Sequence, residues 1–184
     1  MTPTIPRTAR TLAVHPVTRG FGWAVFEGPL TPYDWGFVLT KGDKNSLCLQ
    51  KVEEIVSQHM PDTLVLEAFE QRQSSRSDRM ALLGRGLLAL AANRGVEGAV
   101  YTKQDVRACF QSVGARTRQQ IAEAIVRHLD VLRSKLPKKR RPWDGEDHRM
   151  SLFSAVALIL THYQFGANRL FDDLTEQAQS DQGQ

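Results

Sequence analysis

Two short apolar runs, each ending in an ionisable side chain, constrain the fold most. Thr11-Leu12-Ala13-Val14-His15 and Thr63-Leu64-Val65-Leu66-Glu67 lack the polar alternation of half-exposed strands. They read as strands buried on both faces, as in α/β sheets covered by helices. In such sheets functional groups gather at the carboxyl ends of the strands, which places His15 and Glu67 as candidate neighbours.

The intervening segments complete the pattern. Phe21–Phe26 reads as a second strand and Tyr33–Thr40 as a third, and their short connections imply an antiparallel meander. From Asn45 to His59, Leu47, Val52, Ile55 and Val56 recur at helical spacing, with Asp43 or Asn45 available as the cap. A helix over Asp78–Asn93, stopped by Gly95, leads into a brief strand at Ala99–Tyr101. Helices over Lys103–Phe110 and Thr117–Leu132 follow, then a basic linker from Lys135 to Arg141 and a last helix over Glu146–Tyr163. The predicted architecture is α/β: a mixed five-stranded sheet, three strands in an antiparallel meander plus two parallel strands, flanked by helices. One domain is expected over residues 11–173, with an N-terminal extension over 1–10 and a polar, disordered tail over 174–184.

Composition narrows the function classes. The chain has 184 residues, 41% hydrophobic and 24% charged, which fits a folded domain rather than a fibrous or disordered one. No apolar stretch approaches the roughly 18 residues that span a bilayer, and no signal-peptide pattern opens the chain, so a cytoplasmic protein without membrane contact is expected. Cys48 and Cys109 lie in predicted helices with no CxxC and no nearby histidine at ligand spacing, and read as structural thiols. The phosphate-binding and dinucleotide glycine motifs are missing, as is a G-x-S-x-G nucleophile turn.

A net charge of +4 favours an anionic partner. The nucleic-acid-binding candidates are Arg19, Arg72, Arg76, Arg79, Lys103, Lys138, Lys139, Arg140 and Arg141. The arginines after the fourth strand can track phosphates near Glu67 or form an ordinary solvated run. Trp143, beside the basic linker, can stack on a base or seal the start of the last helix. On that helix Asp147, Ser151 and Ser154 fall at i, i+4 and i+7, which puts them on one face.

The run from Leu12 to about His162 resembles the RuvC-type Holliday-junction resolvases of the RNase H-like superfamily. Three segments carry the resemblance: Leu12–Pro16 followed by Gly20–Val25, Leu64–Phe69, and Phe153–His162. Gly84-Arg85-Gly86 and Tyr101–Arg107 are similar to the family's middle segments. The resemblance implies an RNase H-like fold and a metal-dependent, structure-selective endonuclease acting on DNA, branched DNA included, in which acidic side chains hold two Mg²⁺ ions for phosphodiester hydrolysis. It also implies a two-fold homodimer, and DNA rather than RNA as the partner.

Residue by residue, the family's first-strand aspartate falls on His15, its fourth-strand glutamate on Glu67, and its last-helix carboxylates on Ser151 and Ser154. Only Glu67 matches outright. Asp147 and Glu146, a turn earlier, are the candidate replacements, so the catalytic candidates are Glu67, Asp147 and His15, with Glu146 added as a metal ligand. Such a set suits Mn²⁺ or Zn²⁺ better than Mg²⁺, because imidazole is a transition-metal ligand. The alternative is a catalytically degenerate domain that binds nucleic acid or acts as a scaffold, with His15 a structural histidine.

Overall fold

A computed structural model describes residues 8–69, 75–139, 141, 145 and 147–164, with 75–77 described by their backbone alone. The expected tail at 174–184 lies outside these residues. Strands β1 (Thr11–Val17), β2 (Gly20–Phe26) and β3 (Pro32–Leu39) form the antiparallel meander, and β4 (Thr63–Glu67) and β5 (Glu97–Tyr101) run parallel to β1. The sheet order is β3-β2-β1-β4-β5, and its meander plus two parallel strands is the mixed five-stranded sheet the sequence predicts.

Helices α1 (Lys44–His59) and α2 (Ser75–Asn93) cover one face of the sheet. The other face carries α3 (Lys103–Gln111), α4 (Arg118–His128), a 3₁₀ turn at Asp130–Lys135, and α5 over residues 149–164. Period-two alternation explains why the central strands show no polar face. Leu12 and Val14 of β1 and Leu64 and Leu66 of β4 pack under α1 and α2, whereas Ala13 and Val65 pack under α4 and α5. The same parity sends His15 and Glu67 to the α4–α5 side.

Local chemistry sets the element ends. Asp43 caps α1, Thr102 and Thr117 open α3 and α4 with capping boxes, and Gly95 takes the left-handed conformation that ends α2. Arg10, expected in the extension, is tied to the domain: its backbone N–H donates to Asp62 and its side chain to Glu27 and the His59 carbonyl.

Two boundaries correct the sequence reading. Helix α4 stops at His128, and the chain tightens to 3₁₀ winding, which brings Leu129 and Leu132, three residues apart, into the core together. Helix α5 begins at residue 149 and not at 146. Asp147 sits ahead of it, where its Oδ1 accepts the Arg149 backbone N–H at 2.9 Å.

Gly22 of β2 brings α5 close to the sheet. A Cβ at Gly22 would stand 2.1 Å from the Ser151 carbonyl carbon, so the first turn of α5 rests directly on β2 backbone. Gly22 pairs with His15 across β1 and β2, which brings Ser151 and Ser154 to the His15 side of the sheet.

Candidate nucleic-acid interface

Val14 of β1 and Leu66 of β4 are register partners, so the following residues, His15 and Glu67, lie side by side at the carboxyl ends of parallel strands. His15 Nδ1 is 3.8 Å from Glu67 Oε2, beyond hydrogen-bonding reach. The other ring nitrogen is engaged: Arg118 Nη2, from the first residue of α4, lies 3.1 Å from His15 Nε2.

A guanidinium only donates, so Nε2 must accept and the proton of the neutral ring sits on Nδ1. Burial, then the charges of Arg118 and Lys103, push the His15 pKa down to about 3, and the ring is neutral at physiological pH. Nδ1 has no hydrogen-bond partner and faces Glu67 across the gap.

Glu67 lines a cleft of about 540 Å³ with Lys103, Arg107, Arg116, Arg118, Met150 and Ser154 among its walls. Lys103 Nζ approaches Glu67 Oε1 to 3.9 Å. Thr117, Arg118 and Met150 are shared with an adjoining cleft that contains Lys138, Lys139, Asp147 and Arg149. A basic surface therefore continues from the end of β4 past the start of α4 to the linker.

Among the described residues the expected metal set does not come together. Ser154 Oγ donates to the Met150 carbonyl at 3.1 Å and Ser151 Oγ to the His148 carbonyl, so both hydroxyls are spent on backbone carbonyls one turn back. Asp147 lies in the adjoining cleft, with its carboxylate held by the Arg149 guanidinium at 2.6 Å, which lowers its pKa. Among the described residues no three His, Cys, Asp or Glu side chains come together in a way that holds a metal ion. The described residues do not fit a pair of divalent ions: Lys103 approaches the single matching carboxylate, and Arg118 donates to His15 Nε2, which leaves the ring proton on Nδ1.

The remaining candidates divide. Lys103, Lys138 and Lys139 line the two clefts. Arg19 is exposed in the β1–β2 turn and Arg141 on the linker, neither in the walls of these two clefts. Arg79, expected near Glu67, instead ties α2 to α1: its Nη1 donates to Asn45 Oδ1 while Asn45 Nδ2 donates to the Arg79 carbonyl. Arg72, Arg140, Glu146 and the side chain of Arg76 fall outside the described residues, as does Trp143.

The sequence reading missed Arg107, Arg116 and Arg118. Their signal was present: Arg107 is one helical turn from Lys103 on α3, and Arg116 and Arg118 flank the capping Thr117 that opens α4.

Comparison with known proteins agrees with the fold. The chain is 30% identical over 122 residues to the crossover junction endodeoxyribonuclease RuvC of Paenarthrobacter aurescens (strain TC1). The match takes in 65% of this chain and 58% of the relative, so it spans under two thirds of that protein. A structure of T. thermophilus RuvC in complex with a Holliday junction substrate superposes with a TM-score of 0.64 at 16% identity, covering 86% of this chain and 95% of that one. A second Thermus thermophilus RuvC structure gives 0.60 at 19% identity over the same shares.

The chain resembles RuvC-type resolvases in sequence and fold. The five-stranded sheet with its flanking helices is thus the RNase H-like fold of RuvC. No protein-family model matches the chain. Among the described residues no helix is long and apolar enough to cross a membrane.

Proposed function

We propose that this chain is a RuvC-like DNA-binding module that engages the phosphate backbone through the cleft at the ends of β1 and β4, without metal-dependent hydrolysis. The observation that carries this reading is the set of cations around a lone matching carboxylate: Lys103, Arg107, Arg116 and Arg118 line the cleft with Glu67. Cations at this density neutralise phosphates and release counterions, which is the main source of affinity for DNA. The relatives named as RuvC, one of them solved with a Holliday junction, support DNA over RNA and branched DNA as the substrate to test first. The dimer expected from the resemblance belongs to the same reading, as two-fold symmetry would match a four-way junction.

One observation favours the second reading, a working endonuclease with Mg²⁺ or Mn²⁺: Glu67, the residue that the resemblance matches to the family's metal-binding glutamate, lines the cleft. The two readings separate in one assay. Labelled four-way-junction, duplex and single-stranded DNA are incubated with the protein and Mg²⁺, then Mn²⁺, beside the Glu67→Ala variant. Salt-sensitive binding without cleavage is the expected result. Metal-dependent cleavage that Glu67→Ala abolishes would replace the binding-module reading with the nuclease.

A further inference from the structure

We infer that Arg118, braced by His15, and Lys103, at the start of α3, do the work of the family's metal ions, so that the cleft holds a DNA backbone phosphate with no divalent cation. This rests on the DNA-binding reading and adds what does the holding. The ligand class is a phosphodiester anion, and Arg118 is the residue assigned to it.

A site built for divalent ions presents several carboxylates and becomes attractive to phosphate only once loaded. Among the described residues, this cleft sets four cationic side chains against the one carboxylate of Glu67. It repels a divalent cation and attracts a phosphate as it stands. Where the resemblance calls for a first-strand aspartate, His15 offers a neutral nitrogen, and a guanidinium lies on it at 3.1 Å.

Geometry sharpens the point. A buried imidazole on the rigid central strand is a fixed acceptor, so the contact orients a long side chain that would otherwise sample many rotamers. Glu67 approaches Lys103 at 3.9 Å from the neighbouring strand end. The two cations thus converge from α3 and α4 on adjacent strand ends. Guanidinium presents a planar fork suited to two phosphate oxygens and ammonium a compact point charge, so the pair can do the electrostatic part of what two metals do. It offers no metal-bound water, which fits retention of binding with loss of hydrolysis.

The test is binding of a fluorescein-labelled four-way junction by the full chain at matched ionic strength in EDTA, Mg²⁺ or Mn²⁺, with Mn²⁺ alone titrated calorimetrically. The expected Kd in EDTA lies within about twofold of the Kd in either metal, and Mn²⁺ alone gives no binding heat at millimolar concentration. Arg118→Ala is expected to weaken binding about tenfold or more and to lower the salt dependence by roughly one phosphate contact. Arg118→Lys should restore the salt dependence but only part of the affinity, because the charge returns without the fork. Arg133→Ala, an exposed arginine paired with Asp130 away from the cleft, serves as the unchanged control. Thermal unfolding of each variant separates lost contacts from lost fold.

A junction affinity that rises tenfold with Mg²⁺ or Mn²⁺ would overturn the inference while leaving the DNA-binding reading intact. So would an Arg118→Ala variant with unchanged Kd and salt slope. No binding to any DNA in any buffer would instead remove the functional reading, and this inference with it.

Discussion

Arg118 Nη2 lies 3.1 Å from His15 Nε2, and because a guanidinium cannot accept, this single contact fixes His15 as the neutral tautomer protonated at Nδ1. A helix start is thereby joined to the end of the central strand. The same contact puts the ring proton on Nδ1, the nitrogen facing Glu67, so neither ring nitrogen presents a free lone pair to a metal ion.

Stability should fall with acid through this histidine. Its folded pKa, about 3, lies below the unfolded value near 6.5, so between these pH values the unfolded chain binds the extra proton. The stabilisation is complete above pH 6.5 and is lost as pH falls towards 3, at no more than about 1.4 kcal/mol per pH unit. The groups around the ring are Glu67 from β4, Arg118 from α4 and Lys103 from α3. Burial also lowers the His59 pKa, which acts in the same direction, so the informative quantity is a difference. Denaturant unfolding from pH 7 to pH 4 should show a shallower loss for His15→Gln than for the wild-type chain. Parallel pH profiles would show that His15 titrates as it does in the unfolded chain.

Neutralising Glu67 should strengthen DNA binding. In a metal site the carboxylate attracts cations and its loss weakens the complex, whereas here, among the described residues, it is the one carboxylate in a cleft lined by four cations. Glu67→Gln keeps the shape and removes the repulsion, and junction affinity is expected to rise a few-fold at low salt. A weaker complex would mean that Glu67 acts through Lys103 or through a metal.

Gly22→Ala tests how α5 is seated. The added methyl would meet the Ser151 backbone at 2.1 to 2.3 Å, and backbone on both sides leaves no flexible side chain to move aside. Helix α5 must shift from the sheet, carrying Phe153 and Val156 out of their packing. A loss of about 3 kcal/mol in denaturant unfolding is expected, at the upper end of overpacking costs. A loss under about 1 kcal/mol would mean that α5 can ride away from β2 without penalty.

The sheet was legible because its evidence is local. Runs such as Leu64-Val65-Leu66 admit few alternatives, and the side chains that alternate along β1 and β4 bury both faces as the pattern demands. The adjacency of His15 and Glu67 followed from strand ends alone. Arg118 and His15 are more than a hundred residues apart, and no periodicity links them. Asp147 was misread because acidic residues before a helix look alike whether they lie on its face or precede it, and only its pairing with Arg149 distinguishes the two. Arg79 was assigned to the phosphates on charge, but its partner Asn45 lies on a different helix.

The linker lysines offer an independent reading of the basic surface. Lys138 and Lys139 are exposed on the wall of the cleft that adjoins the Glu67 cleft, sharing Thr117, Arg118 and Met150 with it. A DNA backbone that enters at Glu67 and follows the surface past the α4 start would meet them next. Lys138→Gln with Lys139→Gln should lower the slope of log affinity against log salt by up to about two, near one for each phosphate released. Since neither side chain packs in the core, unfolding should be unchanged within about 0.5 kcal/mol. An unchanged salt slope would confine the DNA to the Glu67 cleft and make the linker charge a solvated run.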